Sequence, residues 1–337
     1  MRAPGRGILA LGILLVVSLP LAADWYPSDP FSPGVKALSL GGAFTALADD
    51  ASAVHANPAG LVQMDKAVFS WQLLSQIQMQ RLVDTSIKLD WEYFPLVAAC
   101  FPIEDGLVHG ALSWTTQWRS ISGRYSVHVL GASLSWKISS WLSWGNTLGL
   151  AVGLTDDEAA SGFFWQTGFL VPLNEDIKLG LTMRMPVTLE WDVLRGDTGV
   201  RERLPLSMQA GMAWRIDRHA ILSFDLEFVD VAGLRYSSDA GTMNPVQPTG
   251  LFRNLHPHIG FQTLIPSIGA EFRCGFLTFT HNANNASDAQ PALTLGIGAW
   301  TSQYFRIDFA LQDTLIFDIF TRTNRYERIS VSFEYVM

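Results

Sequence analysis

A strict period of two constrains this chain more than any other feature. Across residues 177–189 the odd positions Ile177, Leu179, Leu181, Met183, Met185, Val187 and Leu189 are apolar, and Lys178, Gly180, Thr182, Arg184, Pro186 and Thr188 stand between them. Neighbouring side chains of a β-strand point to opposite faces, so the segment carries one apolar and one mixed polar face. A helix would scatter these residues around its axis. The pattern recurs. Leu222, Phe224, Leu226 and Phe228 oppose Ser223, Asp225 and Glu227; Phe305, Ile307, Phe309 and Leu311 oppose Arg306, Asp308 and Gln312. Leu206, Met208, Ala210, Met212 and Trp214 oppose Ser207, Gln209, Gly211 and Arg215, and Val331, Phe333 and Tyr335 oppose Ser330, Ser332 and Glu334.

A soluble sandwich alternates too, and composition separates the two cases. Hydrophobic residues make up 48% of the 337 and charged residues only 16%, with 12 Trp and 20 Phe. Soluble domains carry about 25% charged residues. Past the N-terminal stretch no run of 18 apolar residues occurs, which excludes helical spans. The fold class is therefore all-β: a transmembrane antiparallel β-barrel, in which strands satisfy one another's backbone and the outward face must be apolar. The net charge of −8 and the absence of a Lys/Arg patch argue against nucleic acid as a partner. Cys100 and Cys274 make no disulfide framework, and Cys100 reads as a small packed hydrophobe.

Three regions follow. Arg2 and Arg6 precede an apolar stretch at 8–19, and Ala22 and Ala23 offer a cleavage site, so residues 1–23 read as an export signal. A retained anchor is the other reading of this stretch, which is short for a span. Residues 24–66 lack alternation and are rich in Gly, Ala, Pro and Asp, which suits a hatch plugging a lumen; Asp50 is placed to cap a short helix over residues 51–55. Residues 67–337 form the barrel. Short links fall near 103–106, 139–140, 174–176, 217–218, 273–275 and 301–302, with longer polar stretches around 76–90, 119–125, 155–161, 190–203, 231–254, 281–291 and 313–327. Short periplasmic turns alternating with long outer loops imply about fourteen strands, twelve being the other even count, with both ends in the periplasm.

The hatch segment carries a resemblance. The run Ala37-Leu38-Ser39-Leu40-Gly41-Gly42-Ala43-Phe44, then Ala48-Asp49-Asp50-Ala51-Ser52-Ala53, then Asn57-Pro58-Ala59-Gly60-Leu61, resembles the FadL-type outer-membrane transporters of fatty acids and other hydrophobic compounds. It is equally similar to the PorV-type branch and related spirochaete barrels. The phrases Leu204-Pro205-Leu206-Ser207, Ile268-Gly269-Ala270-Glu271 and Leu295-Gly296-Ile297-Gly298 extend the likeness along the chain. The resemblance implies a fourteen-stranded barrel in the outer membrane, closed by a hatch. It also implies uptake of a hydrophobic small molecule or lipid, such as a long-chain fatty acid, by hatch rearrangement and sideways release. The alternative is a PorV-like barrel that docks a protein partner for secretion or surface assembly. The chain is shorter than the typical fatty-acid transporters, which leaves less material for an outer capture groove.

The candidate site residues follow from both readings. Gly41, Gly42, Phe44, Asn57, Pro58 and Ala59 make the hatch motif; Asn57 beside Pro58 favours a turn whose amide holds loop backbone. Phe31, Leu38, Leu40 and Phe44 are candidate substrate contacts, with Arg184 or Arg306 offering a fork to a carboxylate. The competing reading of the lumen charges Lys178, Arg184, Arg215, Asp225, Glu227, Glu271, Arg273, Arg306 and Asp308 is a self-neutralising network. No cofactor or metal is expected: His256-Pro257-His258 reads as a loop entering a strand and lacks further ligands, and His109 and His128 stand alone. No nucleophile elbow or metalloprotease motif appears, so no enzyme is expected. Trp114, Trp118, Trp136, Trp141, Trp144, Trp191 and Trp214 read as interfacial girdles in contact with outer-membrane lipids.

Overall fold

A computed structural model of the chain describes residues 34–81, 87–104, 106–119, 125–154, 159–191, 200–230, 233, 235–238, 241–243, 254–280, 289–313 and 325–337. Residues 1–23, expected from the sequence to be an export signal, Phe31 and much of the expected outer loops lie outside the described residues. The strands are β1 Val68–Arg81, β2 Ile87–Glu104, β3 Val108–Arg119, β4 Tyr125–Ser139, β5 Leu142–Leu154, β6 Ala159–Pro172, β7 Ile177–Arg184, β8 Thr188–Trp191 and β9 Val200–Arg203. They continue as β10 Ser207–Arg215, β11 Ala220–Val229, β12 Arg235–Ser238, β13 Gly241–Met243, β14 Leu255–Ile265, β15 Ala270–Thr280, β16 Ala289–Trp300, β17 Phe305–Asp313 and β18 Arg325–Val336.

Fourteen of them close a ring. Each pairs antiparallel with its neighbours in the order β1 to β7, β10, β11, β14 to β18, and β1 returns to β18 with Val68 opposite Val336. The short β8, β9, β12 and β13 extend the ring on the side away from that seam. Six tight turns gather at the end where β1 begins and β18 finishes, and local chemistry explains them. Asn174 Oδ1 accepts from the amides of Asp176 and Ile177 at 2.9 and 2.8 Å, and Asp217 Oδ1 from His219 and Ala220 at 2.6 and 2.8 Å. Those two amides hold the exposed Asp217 carboxyl below its usual value. Gly106 and Gly269 supply the positive φ, 69° and 63°, that their turns require.

The ring is inside out relative to a soluble protein. Leu112, Leu130 and Phe163 point outward, 60%, 51% and 64% exposed, whereas Gln72, Thr115, Gln166 and Gln312 point inward and are buried. Hydrocarbon is the solvent that matches such an outer face. Trp141, Trp214, Trp300, Tyr304 and Tyr335 ring the turn end, and Trp136 stacks on Trp144 at 5.3 Å.

Several expectations need correction. Residues 273–275 are no turn: they lie within β15, and the chain reverses between Ile265 and Ala270 instead. Residues 76–90 are largely strand, because β1 and β2 run on to Arg81 and from Ile87. His256 and His258 sit inside β14 with their side chains buried inward. The alternation at 177–189 does not run through. β7 ends at Arg184 and β8 starts at Thr188. Against β6, Gln166 faces Arg184 but Ser161 faces Glu190, so one extra residue lies on the β7–β8 side. A one-residue bulge reverses every later side chain. Val187, Leu189 and Trp191 therefore point inward and are buried, and Trp191 is no girdle residue.

Candidate functional site

The lumen at the turn end is filled by residues 34–66, whose regular pieces are α1 Val35–Ser39, α2 Ala53–Ala56 and a 3-10 turn, Pro58–Gln63. These are short because Gly34, Gly41 and Gly42 take positive φ of 88°, 64° and 79° and bend the chain sharply. Asp50 does not cap the helix directly. Its Oδ1 accepts from the Ser52 amide at 2.8 Å and from the Ser52 hydroxyl, and Ser52 precedes α2. Asn57 then starts the 3-10 turn, its Oδ1 accepting from Ala59 N at 3.1 Å while Nδ2 donates to the carbonyls of Thr45 and Phe169 at 2.8 and 3.0 Å. One side chain thus ties two parts of the hatch to β6.

Wall side chains do the rest. Val35 N donates to Gln72 on β1 at 2.8 Å, His109 on β3 meets the Met64 carbonyl at 2.9 Å, and Thr115 bonds His55. Ser135, Thr147 and Gln166, on β4, β5 and β6, donate to the carbonyls of Ala59, Val54 and His55 at 3.2, 2.9 and 2.7 Å. Lys178 on β7 reaches Gln63 and Gln209 on β10 reaches the Gly42 carbonyl. Asp225 Oδ2 on β11 accepts from Phe44 N and Thr45 N at 2.9 and 2.8 Å. His258 on β14 lies 2.7 Å from the Gly41 carbonyl, and Thr294 on β16 donates to that of Ser39 at 3.1 Å. Strand glycines let the hatch backbone approach this closely. A β-carbon at Gly275 would overlap the backbone of Leu40 and Gly41, one at Gly180 that of Thr45, and one at Gly145 that of Pro58.

Beside the turn end the wall carries an ionic cluster. Arg273, fully buried, donates to Asp308 at 2.6 Å and to Glu271 at 2.5 Å; Arg306 donates to Glu271 at 2.7 Å and to Asp308 at 2.8 Å. Lys36 of the hatch pairs with Asp49 at 2.8 Å. Enclosure alone would raise the Asp49 carboxyl, but the Lys36 ammonium outweighs it and holds the group below its usual value. His55, buried and close enough to feel Arg184, is pushed down to about 3, chiefly by desolvation, and stays neutral.

The site residues named from sequence fall into distinct places. Gly41, Gly42, Phe44, Asn57, Pro58 and Ala59 come together in the hatch–wall seam. Leu38, Leu40 and Phe44 are buried in that packing, at 1% exposure or less. Arg306 is engaged by two carboxylates, whereas Arg184 sits higher, beside Ser207 at 3.4 Å and within the field of Glu227. Cys100 is a buried free thiol. Sequence reasoning missed the inward glycines and His258, because a strand glycine and a strand histidine carry no local sign of the backbone they will meet.

Above the hatch a separate apolar cluster joins Val127, Val129, Ala151, Ala160, Phe164, Val187, Leu189, Trp191 and Leu204. A sealed turn end, a bonded hatch and an apolar patch above it complete the geometry. A family model described as "Uncharacterised protein family (UPF0164)" matches residues 31–89. No curated protein matches the chain. Among solved structures, the chain is similar to the CymD monoaromatic hydrocarbon channel at 13% identity and TM-score 0.68, over 92% of this chain and 98% of that one. The Ralstonia pickettii toluene transporter TbuX aligns at 15% identity and TM-score 0.67, over 91% and 98%. A Pseudomonas aeruginosa FadL homologue aligns at 14% and 0.63, over 93% and 99%. The fold is that of the FadL-type barrels. At these identities the likeness speaks for architecture, and it covers barrel and hatch together.

Proposed function

We propose that this chain is an outer-membrane channel for hydrophobic small molecules, with long-chain fatty acids among the candidates, exported by its 1–23 signal. The carrying observation is a contrast between floor and wall. The floor is closed by a hatch bonded to ten of the fourteen ring strands and flanked by the Arg273–Asp308–Arg306–Glu271 cluster. The wall ladder beside the upper lumen is interrupted at Pro186 alone, which has no amide to donate; Met185 still donates to the Trp165 carbonyl at 2.9 Å and Val187 accepts from the Leu204 amide at 2.7 Å. An apolar ligand released through that interruption enters lipid directly and avoids hydrating its chain, at about 0.8 kcal/mol per methylene. Hatch rearrangement in this reading is local, since moving the whole segment would break bonds to most of the ring.

The test is uptake in a host lacking its own hydrophobic-compound channel. Expression should raise uptake of a labelled hydrophobic compound above the vector control, and the absence of any rise overturns the proposal. A disulfide from Ser161→Cys and Glu190→Cys, directly paired across β6 and β8, should suppress uptake when oxidised and release it when reduced. A protein that copurifies stoichiometrically, with no uptake, would support docking instead.

A further inference from the structure

The hatch bend at residues 41–45 is held from three consecutive strands of the ring. Gln209 on β10 donates to the Gly42 carbonyl at 3.2 Å, Asp225 on β11 accepts from Phe44 N and Thr45 N, and His258 on β14 meets the Gly41 carbonyl at 2.7 Å. The His258 contact differs from the other two. A carbonyl oxygen can only accept, so Nδ1 of His258 carries a proton and donates it. The other ring nitrogen, Nε2, lies 3.5 Å from Glu227 Oε2, within ion-pair reach though long for a hydrogen bond. A carboxylate also only accepts. Neutral imidazole has one N–H, and with that spent on Gly41 its Nε2 lone pair would point at a carboxylate. Only the imidazolium suits both neighbours.

The surroundings agree. His258 is buried, and its ring packs on the bend itself, since a β-carbon at Gly42 would sit 2.8 Å from Nδ1. Asp225 lies opposite His258 in register and Glu227 opposite His256, while Arg184 on β7 acts on Glu227. On its other side His258 faces Leu277 of β15, and the hatch residues it touches, Gly41 and Gly42, are uncharged. Two carboxylates against one guanidinium leave negative charge for an imidazolium to offset. His256 does not compete for the proton: among the described residues its Nδ1 has no hydrogen-bond partner, so nothing calls for a second proton on that ring.

We infer that the seated hatch binds one proton on His258, which bridges the Gly41 carbonyl and Glu227 as an imidazolium and makes the seating of the bend pH-dependent. A loosened bend gives His258 to lumen water, where an imidazole holds its second proton only below about pH 6.5. Above that pH the seated state carries a proton that the loosened one lacks. Alkali therefore unseats the bend, by about tenfold per pH unit for as long as seated His258 keeps its proton. His55 works in the opposite sense. It is neutral in the seated hatch and takes up a proton when freed, so acid below about pH 6.5 unseats its end. The two histidines together make the seat tightest near the ordinary imidazole value. Nothing needs to pass through the lumen for this to hold, so uptake measurements bear on the channel reading alone.

The experiment uses the full chain in lipid nanodiscs. Nitrogen-15 NMR of the histidine-labelled protein should show, at about pH 7.5, a ring with both nitrogens protonated that is absent from His258→Gln. Hydrogen exchange, corrected for the intrinsic effect of pH, should give residues 42–47 about tenfold less protection for each pH unit above neutrality. His258→Gln still donates to Gly41 but cannot titrate, and Glu227→Gln leaves His258 with one proton. Each should flatten that dependence, whereas His55→Gln should keep it and β4 and β5 should show none. A His258 ring with a bare Nε2 at that pH overturns the inference, and so does the same pH dependence in His258→Gln, Glu227→Gln and the unmodified chain. If either variant fails to seat the hatch, the spectrum of the unmodified chain decides by itself, with the His258 signal assigned by its contact to the Gly41 carbonyl carbon.

Discussion

Replacing Asp225 by Ala should loosen one bend of the hatch without opening the barrel. Asp225 Oδ2 is the acceptor for two adjacent hatch amides, Phe44 N at 2.9 Å and Thr45 N at 2.8 Å, and also receives Gln209 at 3.1 Å. The carboxylate lies against Gly211, whose missing side chain leaves it room, and it is 5% exposed. Alanine leaves both amides enclosed without that acceptor, at about 1–3 kcal/mol each. Taking the lower figure for both, local opening becomes about 30-fold more frequent, since 1.4 kcal/mol is a factor of ten. Asp225→Asn keeps an oxygen for the amides and loses the charge, so its effect should be smaller. Hydrogen exchange of the chain in lipid nanodiscs reads this directly: residues 42–47 should lose protection, while β4 and β5 should not. Protection at Phe44 and Thr45 within about threefold of the unmodified protein would refute the idea that the wall carboxylate fixes this bend. Equal loss in β4 and β5 would show that Asp225 supports the ring instead.

Three further outcomes follow from the same geometry. His55 stays neutral in the seated hatch down to about pH 3, whereas an exposed histidine takes its proton near 6.5; the depressed folded value means stability is full above pH 6.5 and is lost as pH falls toward 3. Between pH 7.5 and 5 that loss is about 2 kcal/mol, and thermal melts should show His55→Gln to be the less acid-sensitive protein. Gly275→Val should displace the hatch, because its side chain would overlap Leu40 and Gly41, whereas Gly106→Ala, with nothing within 4 Å, meets only the strain of its positive φ; hatch hydrogen exchange separates the two. Asp308→Asn leaves buried Arg273 and Arg306 short of a carboxylate and should cost about 3–5 kcal/mol, and a double variant Arg273→Met with Asp308→Leu should melt higher than that single one.

How far the sequence could be read depended on the range of the interaction involved. Leu222 to Phe228 and Phe305 to Leu311 announce their outward faces by local alternation, and the structure has both as read. Asn174 and Asp217 announce turns because their side chains bond amides two and three residues on. Gly275 misled for a physical reason: a glycine beside Arg273 and Cys274 resembles a turn, and only Gly41, more than two hundred positions earlier, explains why it lies in a strand. Trp191 misled for another: nothing before Pro186 says that the chain takes one extra residue and reverses its faces.

The sequence by itself determined that this chain closes into a barrel with an apolar exterior and keeps a non-strand segment before Val68, since period two, composition and turn chemistry are properties of neighbouring residues. Tertiary structure alone decided what meets inside. Asp225 reaches Phe44, His258 reaches Gly41, and Arg273 reaches Asp308 because ring closure brings distant strands and the hatch to one level. Trp191 faces inward because a bulge's effect on parity is fixed by the strand it must pair with.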